Sequence, residues 1–217
     1  MDVQATRSWA QSHPRINAAQ QKLIFAALDS FEVLYKATSI SREELAAILE
    51  AARCRLVAPS CVGGLTLASL ASRHPAAQDA FRDLVSSRKC GERFQGIYSL
   101  SGAMPKPLLQ ELLTRGLNDR STSVRSLAAS KCDTLRLREM LPEILQRAAG
   151  EPDAGVKQKL EFHAAMIRDG YLVERKEGER LSLCVRARDG WSWQEISQAD
   201  IDGGRLPILV AERQSKP

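Results

Sequence analysis

Three histidines have the most direct capacity for proton transfer or metal binding in this chain. His13 and His74 each precede a proline, a pairing typical of a helix start, where a capping role is expected. His163 falls within a predicted helix, where we favour a packed or hydrogen-bonded ring over a catalytic one. The sequence has no His-x-x-x-His or His-Glu-x-x-His spacing, so we predict no metal site.

The five cysteines could act as nucleophiles or ligands, but their spacing supports neither role. They are Cys54, Cys61, Cys90, Cys132 and Cys184. Their number is odd and none form a Cys-x-x-Cys pair, so neither a disulfide framework nor a zinc site is indicated. We expect buried, reduced thiols.

The glycines do not form a known phosphate-binding or nucleophile motif. The patterns Gly-x-Gly-x-x-Gly, Gly-x-x-x-x-Gly-Lys and Gly-x-Ser-x-Gly are missing from the sequence. Gly63 and Gly64 fall within a helical stretch, which favours a packing role. We therefore predict no catalytic residue and no cofactor. An enzyme remains an open alternative, although a binding protein is favoured.

The elements that would position any site are predominantly helical. The chain has 217 residues, of which 44% are apolar and only 5% aromatic, a composition typical of packed helices in one large or two small domains. No apolar run approaches the length of a membrane span, and Met1 to Gln11 lack the apolar core of a signal peptide. We expect a soluble, cytoplasmic protein with no membrane partner.

The net charge of +5 is weak for a chain of this length. Dedicated nucleic-acid binders usually concentrate more positive charge on one face. The charge therefore permits an acidic partner without requiring one, and a nucleic acid is possible but not favoured.

The stretch Pro107 to Ile167 contains one helix-turn-helix pattern twice. In each copy an acidic residue precedes a base by six positions: Asp119 precedes Arg125, and Glu151 precedes Lys157. The two bases stand 32 residues apart, a period that indicates a stacked structural repeat.

This pattern resembles the HEAT repeat family. Its usual form has a proline in the first helix, an acid in the turn, and Val-Arg opening the second helix. The residues that match are Pro142, Asp119, Glu151, Val124-Arg125 and Val156-Lys157, within about Pro105 to Asp169. The resemblance implies an α-α superhelix, in which the turn acid and the helix base form a ladder between neighbouring repeats. It gives Asp119, Arg125, Glu151 and Lys157 a structural role.

We predict three parts for the whole chain. Residues 1–40 form a loose arm and a capping helix that starts at His13-Pro14. Residues 41–170 form about four HEAT-like helix pairs, opened by a capping box of Ser41 and Glu44. Within them, a spacing of 32 aligns Arg93 with Arg125, whereas a spacing of 30 aligns apolar residues. We prefer the apolar alignment of Phe94, Ile97 and Tyr98 with Val124, Leu127 and Ala128.

Residues 171–217 are predicted to form a small antiparallel β-meander that packs on the last repeat through Phe162 and Met166. Alternating apolar residues predict strands, and Asp189-Gly190 predicts a hairpin turn that places Trp191 and Trp193 on one strand face. Leu206 to Val210 could form a fourth strand, and residues 214–217 a tail.

The leading functional hypothesis is a non-catalytic binding module that clamps a protein partner with its concave face. An inhibitor, a toxin-neutralising (immunity) protein, a regulator or a scaffold would fit. The predicted partner-binding residues are Ser126, Ser130, Gln158, Glu161, Trp191 and Trp193. The alternative for the two tryptophans is that they anchor the sheet to the helices.

A DNA-binding protein or a HEAT-like alkylpurine DNA glycosylase is the alternative function. Such glycosylases hold DNA in a basic groove and use an acid beside aromatic residues. Trp9, Trp191 and Trp193 all lie outside the predicted repeats, so this constellation is not visible in the sequence. A stripe of bases could still contact phosphates, or could form a solvated ridge together with the repeat ladder. Its members are Arg115, Arg120, Arg125, Lys131, Arg136 and Arg138.

Overall fold

A computed structural model describes residues 1–175, 180–187 and 190–215. Within those residues the chain forms twelve α-helices, two short 3-10 helices and one three-stranded antiparallel sheet. The predicted class, mainly helical with a small antiparallel meander, is therefore confirmed. Along the described ranges, no helix is long and apolar enough to cross a membrane.

The chain divides into two compact units, residues 1–131 and residues 132–217. The divisions after residues 40 and 170 that we inferred from the sequence remain predictions. The first unit contains seven helices, the 3-10 helix Glu43–Leu45 and most of an eighth helix. The helices are α1 (Val3–Ser12), α2 (Ala18–Leu34), α3 (Ala46–Ala52), α4 (Val57–Ala71), α5 (Pro75–Val85), α6 (Cys90–Tyr98), α7 (Lys106–Leu117) and α8 (Thr122–Thr134).

The N-terminal residues are a helix, so the prediction of a loose arm over Met1 to Ser12 is wrong. Asp2 caps α1 by accepting a hydrogen bond from the Ala5 N–H at 2.9 Å. Ala10 is buried in a cluster with Ile24 and Leu28 of α2. A ten-residue helix with one fully buried residue gives too weak an apolar period to be read from the sequence.

The start of α2 also differs from the prediction at His13-Pro14. The helix begins at Ala18, after a capping box in which Asn17 and Gln20 bond each other's backbone N–H groups at 3.0 and 2.9 Å. His13 instead ends α1, because its backbone N–H donates to the Trp9 carbonyl.

Two other predicted helix starts are confirmed. His74 precedes Pro75 at the first position of α5, although no side-chain capping bond of His74 is found among the described residues. Ser41 and Glu44 form the expected reciprocal pair: the Glu44 N–H donates to the Ser41 hydroxyl and the Ser41 N–H to the Glu44 carboxylate.

Residues 86–89, 118–121 and 150–153 are connecting loops of equal length, and each leads into a long helix. The helices α6 and α8 begin at Cys90 and Thr122, and α10 begins at Ala154, so their starts are 32 residues apart. Arg93 and Arg125 are therefore both fourth residues of their helices. The preferred 30-residue alignment is wrong.

The physical reason is that two of the three side chains that were expected in the apolar core lie partly in solvent, although Ile97 is fully buried. Phe94 and Tyr98 are 37% and 45% exposed, whereas Arg93 is only 5% exposed. The buried side of α6 therefore consists of Arg93, Gly96 and Ile97, and Arg93 forms an ion pair with Asp119.

The packing role predicted for the glycine pair in α4 is confirmed. A Cβ atom at Gly63 would stand 2.3 Å from the backbone nitrogen of Ala52, and one at Gly64 would stand 1.9 Å from the hydroxyl of Ser99. Only glycine permits α4 to approach α3 this closely.

The second unit contains the end of α8, the 3-10 helix Arg138–Met140, four further helices and the sheet. The helices are α9 (Leu141–Ala149), α10 (Ala154–Arg168), α11 (Gln198–Asp202) and α12 (Leu206–Gln214). The strands are β1 (Tyr171–Arg175), β2 (Leu181–Ala187) and β3 (Gly190–Ile196), in the order β1-β2-β3.

The predicted fourth strand over Leu206 to Val210 is wrong, because this segment opens α12. Pro207 occupies the first turn of that helix, where its missing N–H costs nothing. Val210 packs on Leu183 and Val185 of β2, so α12 covers one face of the sheet. Asp189 of the predicted hairpin turn lies outside the described residues, but β2 and β3 pair as expected.

The cysteines differ in exposure, and the expectation that all are buried is wrong for Cys90. Cys132 and Cys184 are buried as expected, Cys54 and Cys61 are half-buried, and Cys90 is exposed. All five are free thiols.

Candidate functional site

The predicted ladder residue Asp119 belongs to a buried ion pair with Arg93. The Arg93 guanidinium donates to both carboxylate oxygens of Asp119, at 2.6 and 2.9 Å. Burial raises the pKa of Asp119, but the guanidinium and the Ser121 N–H outweigh it and keep that pKa below its usual value. Arg93 is therefore a structural residue that our sequence reasoning missed, and the 32-residue spacing was the signal for it.

The other predicted ladder residues have unequal surroundings. Arg125 is buried and donates to the Asp119 carbonyl at 2.9 Å, as Arg93 donates to the Ser87 carbonyl at 3.0 Å. Glu151 is buried and accepts from Arg147 at 2.9 Å. Lys157, in contrast, is exposed and lies 4.0 Å from the carboxylate of Glu161.

Most of the predicted basic stripe is occupied by contacts within the chain. Arg115 donates to Ser86 at 2.7 Å, and Arg120 donates to the Arg88 carbonyl at 2.6 Å. Lys131 donates to the Leu100 carbonyl at 3.2 Å, and burial lowers its pKa. Arg125 is also buried. Arg136 and Arg138, in contrast, have exposed side chains with no ion pair and no side-chain hydrogen bond among the described residues.

A second charge cluster lies in the second unit, around Asp133. This residue is 0% exposed, although it lies in the last turn of α8. One carboxylate oxygen lies 3.1 Å from Nδ1 of His163, and the other pairs with the Arg186 guanidinium. Sequence reasoning gave no role to Asp133 or Arg186, because neither belongs to a motif.

The predicted packed, hydrogen-bonded state of His163 is confirmed. Burial, together with the nearby charge of Lys159, lowers its pKa to about 4, so the ring is neutral at pH 7. A carboxylate only accepts hydrogen bonds, and therefore the neutral ring donates from Nδ1 to Asp133. Burial also lowers the pKa of Arg186.

Three aromatic side chains next to this cluster form a surface, which we name the aromatic surface: Phe162, Trp191 and Trp193. The Phe162 ring meets Trp191 edge-on at 5.2 Å and stacks on Trp193 at 6.2 Å between ring centroids. The two indoles are nevertheless 45% and 44% exposed. They thus anchor the sheet to α10 and also face solvent, so both predicted roles are compatible with their positions.

The strand register places the aromatic surface and Arg186 on the same side of the sheet. Arg186 is the cross-strand partner of Trp191, and Cys184 is the partner of Trp193. Paired residues of antiparallel strands project from the same face. This face meets α10, because the ring of Trp191 lies 5.5 Å from that of His163.

A cavity of about 480 Å³ adjoins the Asp133 cluster, and we name it the arginine pocket. Arg136, Arg138 and Arg186 supply its positive charge, and Asp133 and Asp169 its negative charge. The Asp169 carboxylate already accepts a hydrogen bond from Arg168 at 2.8 Å. The pocket therefore has an excess of positive charge.

The remaining predicted partner-binding residues lie on two helices. Gln158 and Glu161 are exposed on α10, and Gln158 is one helical turn from Phe162 of the aromatic surface. Ser126 and Ser130 of α8 are half-buried rather than exposed. The structure thus brings Gln158 to the aromatic surface.

Metal chemistry finds no support in the described part of the chain, since none of its His, Cys, Asp and Glu side chains form a group of three or more suited to hold an ion. Comparisons with models of protein families, with curated proteins and with solved structures found no match for this chain.

Proposed function

We propose that this chain is a non-catalytic protein-binding module built as a short HEAT-like α-α superhelix, which clamps a protein partner as an inhibitor, an immunity protein or a regulator. The superhelix is supported by helix starts that recur every 32 residues at α6, α8 and α10. The ion pair between Arg93 and Asp119 supports the superhelix further, because it gives two charged residues a structural role, as the ladder of the HEAT family does.

The aromatic surface is the observation that carries the protein-binding proposal. Trp191 and Trp193 each leave nearly half of their surface to solvent, although Phe162 fixes both rings. Tryptophans are enriched among the residues that dominate binding energy at protein interfaces. Rings that are already fixed lose little conformational entropy on binding, so such a surface is prepared for a partner.

Two observations favour a protein over DNA or a glycosylase substrate. Asp133 is linked to Trp191 through the ring of His163, yet it is fully buried and faces His163 and Arg186. Because the carboxylate is fully buried, it is not presented to a substrate. In addition, four of the six bases of the predicted stripe are engaged within the chain or buried.

An affinity capture from the native host, followed by mass spectrometry, tests the proposal. The full chain should recover one protein in a stable complex. Trp191→Ala/Trp193→Ala should lose that protein, because it removes the exposed indoles. Trp9→Ala is the matched control, since Trp9 is 40% exposed but lies in the first unit.

A variant that leaves the sheet intact guards against misfolding of the double variant. Gln158→Arg adds a bulky charge beside the aromatic surface without removing a core contact, and should also reduce capture. Recovery of duplex DNA, with binding that falls steeply as salt rises, would reverse the ranking of the two functions.

A further inference from the structure

The arginine pocket has two guanidinium groups that the fold does not use. Asp133 is committed to Arg186 and His163, and Asp169 to Arg168. The side chains of Arg136 and Arg138 have no such carboxylate partner among the residues described. An anionic group that enters the pocket would therefore meet two cations without having to break an existing ion pair.

The backbone at Arg136 adopts a conformation that an arginine seldom takes. Its φ of +55° lies in the left-handed region, and it follows the end of α8, where glycine or asparagine is the usual choice. A residue with a Cβ atom is strained in this conformation. Among the described non-glycine residues, Arg136 alone adopts a positive φ.

We propose that the arginine pocket receives the acidic side chains of the partner protein, next to an apolar residue of that partner on the aromatic surface. This inference rests on the proposed protein-binding function. The volume of about 480 Å³ is within the range of ligand pockets and exceeds what one inorganic ion fills. Arg186 and Trp191 are cross-strand neighbours on one face, so a single peptide segment can reach both regions.

The charge of the pocket favours an acidic protein segment over a nucleic acid. Three guanidinium groups and two carboxylates give a local excess of one positive charge. That excess suits one or two carboxylates, whereas tight duplex binding uses about 6–10 phosphate contacts.

A direct test measures the binding of fluorescein-labelled hexaglutamate amide to the full chain by fluorescence anisotropy at low salt. Arg136→Gln/Arg138→Gln should weaken binding about tenfold or more, because the variant loses the charge-assisted hydrogen bonds that both guanidinium groups donate to carboxylates. Arg15→Gln/Arg55→Gln is the matched control: both residues are exposed and outside the pocket, and the charge change is the same. The control should stay within about twofold of the original chain.

A lysine variant separates recognition from loss of fold. Arg136→Lys/Arg138→Lys keeps the charge but removes the planar fork, so it should bind the peptide with intermediate affinity. Equal peptide binding by the glutamine variant and the original chain would overturn the proposal. An equal loss in the control variant would overturn it too, as would tighter binding of a duplex DNA that depends on Arg136 and Arg138.

The two proposals can fail separately. If the glutamine variant captures the host partner as well as the original chain does, the arginine pocket is not used and the binding function stands. If the original chain captures no protein, the binding function fails, and the peptide titration still reports on the pocket.

Discussion

The two buried charge clusters of this chain use similar residues in opposite ways. In the first unit, Arg93 donates two hydrogen bonds to the Asp119 carboxylate. Its Nη1 donates to the carbonyls of Ser87 and Arg88. In the second unit, Asp133 faces His163 and Arg186, but Arg186 also lines a cavity with Arg136 and Arg138, which form no ion pair with any described residue. The ion pair between Arg93 and Asp119 thus has a structural role. The pair between Asp133 and Arg186 marks a candidate site, because further arginines lie beside it.

Breaking the ion pair between Arg93 and Asp119 should have the largest effect on the free energy of unfolding. Asp119→Ala leaves the Arg93 guanidinium buried without its carboxylate, and should reduce the free energy of unfolding by about 3–5 kcal/mol. Urea unfolding followed by circular dichroism measures this loss. The double variant Arg93→Met/Asp119→Leu removes both charges and should lose less than the single variant. A single-variant loss below about 1 kcal/mol would contradict a structural role for the pair.

The charge cluster around Asp133 should make the free energy of unfolding depend on pH, because it contains His163. His163 has a pKa of about 4 in the folded chain, against about 6.5 when unfolded. The unfolded chain therefore binds the proton first. The contribution of His163 to stability is fully present above pH 6.5 and is lost as pH falls towards 4, by about 3 kcal/mol.

Urea unfolding at several pH values, with tryptophan fluorescence as the signal, checks this expectation. His163→Gln keeps a polar side chain at the position and cannot titrate, so its stability should change less between pH 7 and pH 4.5. The same pH dependence in both proteins would show that another group is responsible.

The smallest effect on the free energy of unfolding is expected at Lys157. This residue occupies the same helix position as Arg93, so the two substitutions compare an exposed charge with a buried one. It is exposed, and its only described carboxylate neighbour, Glu161, is 4.0 Å away. Lys157→Ala should change the free energy of unfolding by no more than about 0.5 kcal/mol in the same urea assay. A loss above about 1 kcal/mol would mean that the repeat position, rather than burial, determines the contribution.

The sequence predicted those features that are encoded locally or periodically. The capping box of Ser41 and Glu44, the hairpin that carries Trp191 and Trp193, and the 32-residue period are of this kind. Each depends on residue types at fixed spacing, which is visible without tertiary structure.

The parts that were missed depend on contacts between segments far apart in the chain. Asp133 and Arg186 are ordinary charged residues until the fold buries them against each other. The segment that follows Leu206 is an apolar run that suits a strand or a helix equally, and its packing on β2 decides the outcome. Arg93 was misjudged because an arginine was assumed to be exposed, whereas an ion pair had buried it.

The two buried thiols offer a way to time the opening of the second unit. Burial raises the pKa of Cys132 to about 12 and that of Cys184 to about 11, so neither forms a thiolate at neutral pH while the unit is closed. Both belong to the second unit, whereas Cys54, Cys61 and Cys90 belong to the first. The rate at which an alkylating reagent modifies these two sulfurs therefore measures how often the second unit opens.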